Sequence, residues 1–216
     1  MRRWGVLALL AACATTTPAR PPTAMPTTAP PADVAHLVGW ADDRPRLLAS
    51  ARWAPVDGAA SVDAVVLERR VEDDKELVLA LVRAGRLVGS LPLARIAAPP
   101  TRPRSVGASL VEMPLAAGDR ALRVDVRTFD GPMFAVKTTL VELAGERLVR
   151  LLDRLVESGD QVRDRRAELS VRVDGAGAAE LVVVERESGR APPRTLVYRR
   201  GADGRFVTHD RSIFDD

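Results

Sequence analysis

The sequence predicts an all-β domain made of three degenerate copies of a four-stranded meander, each about 60 residues long. Three observations carry that prediction. Apolar residues alternate with polar ones at a period of two, glycines fall on a regular lattice, and similar hydrophobic runs flank corresponding glycines. Gly58, Gly118 and Gly177 are separated by 60 and 59 residues, and so are Gly85, Gly145 and Gly204. Internal periods of this length mark repeat architectures. The copies span about 46–93, 105–153 and 167–210, within one β-rich domain covering 34–216.

Each element has its own justification. After the first glycine of each pair comes a strand-like run: SVDAVVLER (61–69), ALRVDVRTF (121–129) and ELVVVERE (180–187). In the second of these Leu122, Val124 and Val126 alternate with Arg123, Asp125 and Arg127, the pattern of a half-buried strand. AELSVRVD (167–174) and ASLVEM (108–113) repeat it ahead of Gly177 and Gly118. Around the second glycine sits a hairpin: LALVRAGRLVGSL (79–91), LVELAGERLVRLL (140–152) and LVYRRGADGRFVTH (196–209). VEDDKE (71–76) and FDGPM (129–133) supply the intervening loops. Each unit thus reads strand, Gly turn, strand, loop, strand, Gly turn, strand, and three units give twelve short strands.

One segment competes with this reading. GERLVRLLDRLVESGD places Leu148, Leu151, Leu152, Leu155 and Val156 at helical spacing, so a short helix near 147–158 is the alternative to a strand over 147–152 and an irregular link. Val34 to Trp40 reads as a short helix or a strand leading into the domain.

The glycine-anchored turn of RVDGAGAAELVVVERE (172–187) resembles the repeats of VCBS-like and integrin-type β-propellers. Asp174, Gly177, Glu180, Leu181 and Val182 match the family's pattern, while Arg172 and Ala176 stand where it has calcium-binding aspartates. Calcium takes about 6–8 oxygen ligands. The resemblance therefore implies blade-like meanders without an inherited calcium site. Three units are fewer than the 4–8 blades of a closed propeller. A trefoil-like barrel, a packed sandwich or an oligomeric ring would each complete the fold.

The chain begins with an export pattern: Arg2 and Arg3, then an apolar run from Trp4 to Ala12. A permanent membrane span needs about 20 residues, far more than this run. Leu10-Ala11-Ala12-Cys13 resembles the lipobox of bacterial lipoproteins. That resemblance implies a signal peptide over 1–12, a diacylglycerol on Cys13 and acylation of the new amino terminus. The alternative is an ordinary secretory signal cut near Ala14. Each buried CH₂ adds about 0.8 kcal/mol of membrane affinity, and stable anchoring takes two or more chains. Residues 14 to 33 hold six prolines, which makes 13–33 an extended tether. The expected location is a bacterial membrane surface, facing the periplasm or the cell exterior.

Composition narrows the chemistry. Without Arg2 and Arg3 the mature chain has 30 basic against 29 acidic residues, with the signs interspersed. The pI of 9.7 reflects a basic complement that is nearly all arginine, the lysines being Lys75 and Lys137. A nucleic-acid partner would need a concentrated basic stripe. Lipidation of Cys13, the single cysteine, leaves no thiol for a disulfide, a metal or a nucleophile. His209, Asp210 and Ser212 lie too close together in sequence to form a triad, because neighbours on a strand point to opposite faces. His36 reads as a residue at the domain's edge, and Glu72, Asp73 and Asp74 as a solvated turn. Trp40 and Trp53 are the candidate binding aromatics if they share a surface patch, with core packing as their competing role.

These readings point to a non-catalytic, lipid-anchored envelope protein that binds or scaffolds an envelope partner, without a cofactor. The alternative is a degenerate hydrolase or a module that binds glycan or peptidoglycan.

Overall fold

The computed structural model describes residues 34–40, 45–56, 59–98, 101, 104–115, 118–160, 163–189 and 192–215. Cys13, the signal, the tether and Gly58 lie outside these. Among the described residues a single helical turn, α1 (Val34–Leu37), precedes twelve strands. These are β1 (Arg46–Trp53), β2 (Val62–Val71), β3 (Asp74–Arg83), β4 (Arg86–Ala97), β5 (Ser105–Pro114), β6 (Arg120–Asp130), β7 (Met133–Ala144), β8 (Arg147–Gly159), β9 (Asp164–Val173), β10 (Ala179–Glu187), β11 (Arg194–Arg200) and β12 (Phe206–Val207). All paired neighbours are antiparallel, in a four-stranded sheet β1-β2-β3-β4 and an eight-stranded sheet β12-β11-β10-β9-β8-β7-β6-β5.

The fold is all-β, in three consecutive four-stranded meanders. Gly85, Gly118, Gly145, Gly177 and Gly204 all have positive φ, between 65° and 84°. The lattice therefore records the turns that need left-handed backbone. At the β3–β4 hairpin Ala84 shares that conformation with Gly85, at φ 48° and 76°. Positive φ at both central residues is the type I′ geometry, whose twist matches the flanking strands.

Several details differ from the sequence reading. Most strands have ten or more residues, so the units span 46–97, 105–159 and 164–207. The 71–76 loop shrinks to a turn at Glu72 and Asp73. The helical alternative fails because β8 runs unbroken to Gly159. Its pairing with β7 passes from Val141–Arg150 to Leu140–Leu152, and from Lys137–Leu155 to Val136–Glu157. Leu151 and Val156 are thus bulge residues, and each bulge shifts the inward-facing side chains by one. A strand bulged twice, five residues apart, imitates helical spacing.

The meanders stack as layers, the sandwich among the closures the repeat allowed. Trp53, Val62, Ala64, Val66, Leu77, Leu79 and Leu81 of the first meander meet Val106, Leu122, Val124, Val126 and Val141 of the second. The other face of the second meander, through Ala121, Leu140, Leu151 and Leu152, meets Leu181, Val183, Leu196, Tyr198 and Phe206 of the third. Strands β8 and β9 pair through only three residues each, Glu157–Gly159 with Asp164–Arg166, and the third meander then swings across the second. The middle layer is covered on both sides, so the alternation in ALRVDVRTF does not separate core from solvent. Its polar side chains face the third layer, where Asp125 accepts hydrogen bonds from Arg123 at 2.8 Å and Thr138 at 2.5 Å.

Candidate functional site: an open strand edge above a ledge

The residues singled out in the sequence do not converge. Trp53 is 1% exposed inside the core between the first two layers, and among the described residues its indole nitrogen has no hydrogen-bond partner. Trp40 packs on the opposite face of the first sheet, with the Arg69 guanidinium 4.5 Å from its ring centroid. The two therefore form no common patch: chain alternation sends β1's Trp53 inward, while Trp40 covers the outside with α1. His36 is exposed on α1. His209 and Asp210 are exposed beyond β12, which ends at Val207, and Ser212 is buried. In the propeller-like turn Asp174 accepts hydrogen bonds from the amides of Ala176 at 2.9 Å and Ala178 at 2.8 Å. Glu180 accepts one from Arg172 and one from Arg199, each at 2.7 Å. Those bonds, Arg199's first, hold the Glu180 carboxyl below its ordinary pKa. No helix among the described residues is long and apolar enough to cross a membrane.

Ser212 belongs to a buried node. The Glu185 side chain on β10 is 0% exposed and that of Arg154 on β8 is 9% exposed, and the two form an ion pair. Glu185 also accepts hydrogen bonds from the Ser212 hydroxyl at 2.6 Å and the Ile213 amide at 3.0 Å. Arg154 donates to the Tyr198 hydroxyl and to Ser212 Oγ, and lies 5.7 Å from the Phe214 ring centroid. Burial lifts the Tyr198 hydroxyl above its ordinary pKa, with Arg154 opposing. The node ties the C-terminal segment to the layer interface. One signal for it was in the sequence: in ELVVVERE, Glu185 occupies the same face as Leu181 and Val183.

Beyond the terminal strands β1, β4, β5 and β12 of the two sheets, β9 offers an interior strand with an open edge. One side of this strand pairs along its whole length with β10. On the other side, among the described residues, only Asp164–Arg166 pair, which leaves Ala167 to Val173 without a neighbour. The backbone direction follows from the bonds at its ends. Ser188 N donates to Asp164 O at 2.8 Å and Asp174 N to Ala178 O at 2.9 Å, so even-numbered residues bond to β10. Asp160 N donates to Arg163 O at 3.0 Å on the opposite side. Antiparallel ladders alternate in direction. Ala167, Leu169, Val171 and Val173 therefore direct their N–H and C=O groups to the open edge.

Beside that edge the middle layer projects as a ledge. Ser109, Val111, Arg127 and Phe129 lie on the face that meets the third layer, yet all four are exposed. Val111, Met113 and Leu115 with Leu169, Val171 and Val173 line a groove of about 420 Å³. Val173 is 55% exposed. The upper face of β9 carries Glu168 and Arg172. The Glu168 side chain is 74% exposed, with Arg186 3.9 Å away. Sequence reasoning missed this site because alternation shows which face of a strand is apolar, not which edge lacks a neighbour. No protein-family model matches the chain, and no curated protein or solved structure matches it. The chemistry of the site therefore rests on its own geometry: a row of backbone donors and acceptors unpaired among the described residues, beside a groove of mainly apolar side chains with Glu112 and Arg123, suited to holding another extended chain.

Proposed function

We propose that this chain is a lipid-anchored protein of the bacterial cell envelope whose β domain binds or scaffolds another envelope component without catalysing a reaction. The lipobox-like Leu10-Ala11-Ala12-Cys13 supports the anchor, and the proline-rich stretch after it supports a tether that holds the domain off the bilayer. The open β9 edge is the observation that carries the binding role. Natural sheets shield their edges, because unpaired strand backbone recruits another strand. Here seven residues of edge, from Ala167 to Val173, stand beside a groove whose apolar lining, Val111, Met113 and Leu115, is flanked by Glu112 and Arg123.

The test has two arms in a strain lacking the chromosomal copy. Metabolic labelling with radioactive palmitate should mark the wild-type chain and not Cys13→Ala. Complementation of the deletion phenotype should survive His209→Ala and fail with Cys13→Ala. An unlabelled wild-type chain removes the anchor, and a folded His209→Ala protein that cannot complement removes the non-catalytic reading.

A further inference from the structure

We infer that the β9 edge receives one extended polypeptide segment of a partner protein, added antiparallel to Ala167–Val173 and seated on the β5–β6 ledge. This rests on the binding role proposed above and specifies its partner. Four residues, Ala167, Leu169, Val171 and Val173, present both backbone groups, so the incoming backbone is satisfied without regard to its side chains. Side-chain chemistry then sets specificity. Every second residue of the segment points down, where Val111, Met113 and Leu115 offer apolar contact beside Arg123. Those positions call for apolar side chains.

The remaining residues lie on the upper face, opposite Glu168, Ser170 and Arg172. Directly opposed residues that do not exchange hydrogen bonds bring their side chains closest, and opposite charges there are favourable. The segment thus carries a basic residue opposite Glu168 and an acidic one opposite Arg172, on either side of a small polar residue. Read from its N-terminus, the pattern is apolar, acidic, apolar, polar, apolar, basic, apolar. The antiparallel direction follows from the stronger ladder it forms.

The β9 sequence itself, AELSVRV over 167–173, satisfies this pattern. With Ser170 opposite Ser170, Glu168 meets Arg172 twice. A second intact copy nevertheless does not fit. Stacked sheets lie about 10 Å apart and neighbouring strands about 4.8 Å apart. The ledge extends by two strands, β5 and β6, under the place where a second β9 would lie. A two-fold axis would put the partner copy's ledge in that same space. The ledge therefore admits a lone strand and excludes the whole molecule.

This gives a direct probe: a fluorescent, end-capped peptide of residues 165–173, titrated by anisotropy against the full mature lipidated chain in nanodiscs. Saturable one-to-one binding is expected. Exchanging the glutamate and arginine of the peptide should weaken it at least tenfold. Val171→Pro in the protein should weaken it at least tenfold as well. Proline there removes an N–H that points to the open edge and no bond to β10, so the sheet persists. Ala167→Pro is the second such variant, with a smaller change in packing. Ser170→Pro removes a β10 bond and serves as the destabilised control. Absence of saturable binding, or equal binding to the wild type and to folded Val171→Pro and Ala167→Pro, overturns the inference. So does sedimentation showing a wild-type dimer that Val171→Pro dissolves, because a second copy would then be the occupant. Each of these results leaves palmitate labelling and complementation untouched, so the edge can fail while the anchored binding role stands.

Discussion

Replacing Glu185 by leucine tests the logic that holds the third layer on the second. The carboxylate is completely buried and compensates Arg154, whose guanidinium is almost as inaccessible. Leucine leaves that charge in a low-dielectric interior without its counter-ion. It also strands the Ser212 hydroxyl and the Ile213 amide, which bond to Glu185 at 2.6 and 3.0 Å. Breaking a buried pair from one side costs about 3–5 kcal/mol, a large share of the roughly 5–15 kcal/mol that holds a typical domain folded. With about 2–4 °C per kcal/mol for a chain of this size, melting should fall by about 6–20 °C. Urea unfolding followed by circular dichroism measures the loss, and hydrogen exchange at the Ile213 amide reports release of the C-terminal segment. The double variant Arg154→Met/Glu185→Leu removes both charges and should recover at least half of the loss, because apolar replacements of a whole buried pair are often neutral or better. A single variant within about 1 kcal/mol of wild type, or a double variant no better than the single, would refute the reasoning.

Three further outcomes follow from the same structure. Tyr198 is the only tyrosine, so absorbance at alkaline pH reports it alone. Burial raises its pKa above 10.0, so the midpoint should lie above that value. The associated stability is present below the unfolded-state pKa of about 10 and is lost as pH rises through the folded-state value; a midpoint at or below 10 contradicts the burial. Leu151→Ala empties a bulge position buried on the second interface and should cost about 2–5 kcal/mol in urea unfolding, whereas a helical surface leucine would cost far less. Ala84→Asn should stabilise by about 1 kcal/mol, because alanine adopts left-handed backbone at a cost that asparagine largely escapes; calorimetry showing a lower melting temperature would oppose that.

How much of this was legible depends on the distance over which each determinant acts. Strand and turn signals are local, and they appear in the sequence as alternation and as glycine spacing. Leu122, Val124 and Val126 had to share a face whatever lay above them, and Gly145 and Gly204 had to turn the chain whatever followed. The segment 147–159 misled because its two bulges exist only against β7, whose register supplies the place where an extra residue can slip in. The groove and ledge were hidden for a related reason: they appear only when β9 leaves β8 after three residues and crosses the middle layer.

The sequence alone determined the class of fold, the number of strands and the turns that divide them, because backbone sterics and the two-residue period act between near neighbours. Tertiary structure decided which faces became core, that β9 would part from β8 after three residues, and that Arg154 would find Glu185 31 residues away. Those outcomes come from packing preformed sheets against each other, where the burial of one whole face selects its partner and leaves β9 exposed along one side.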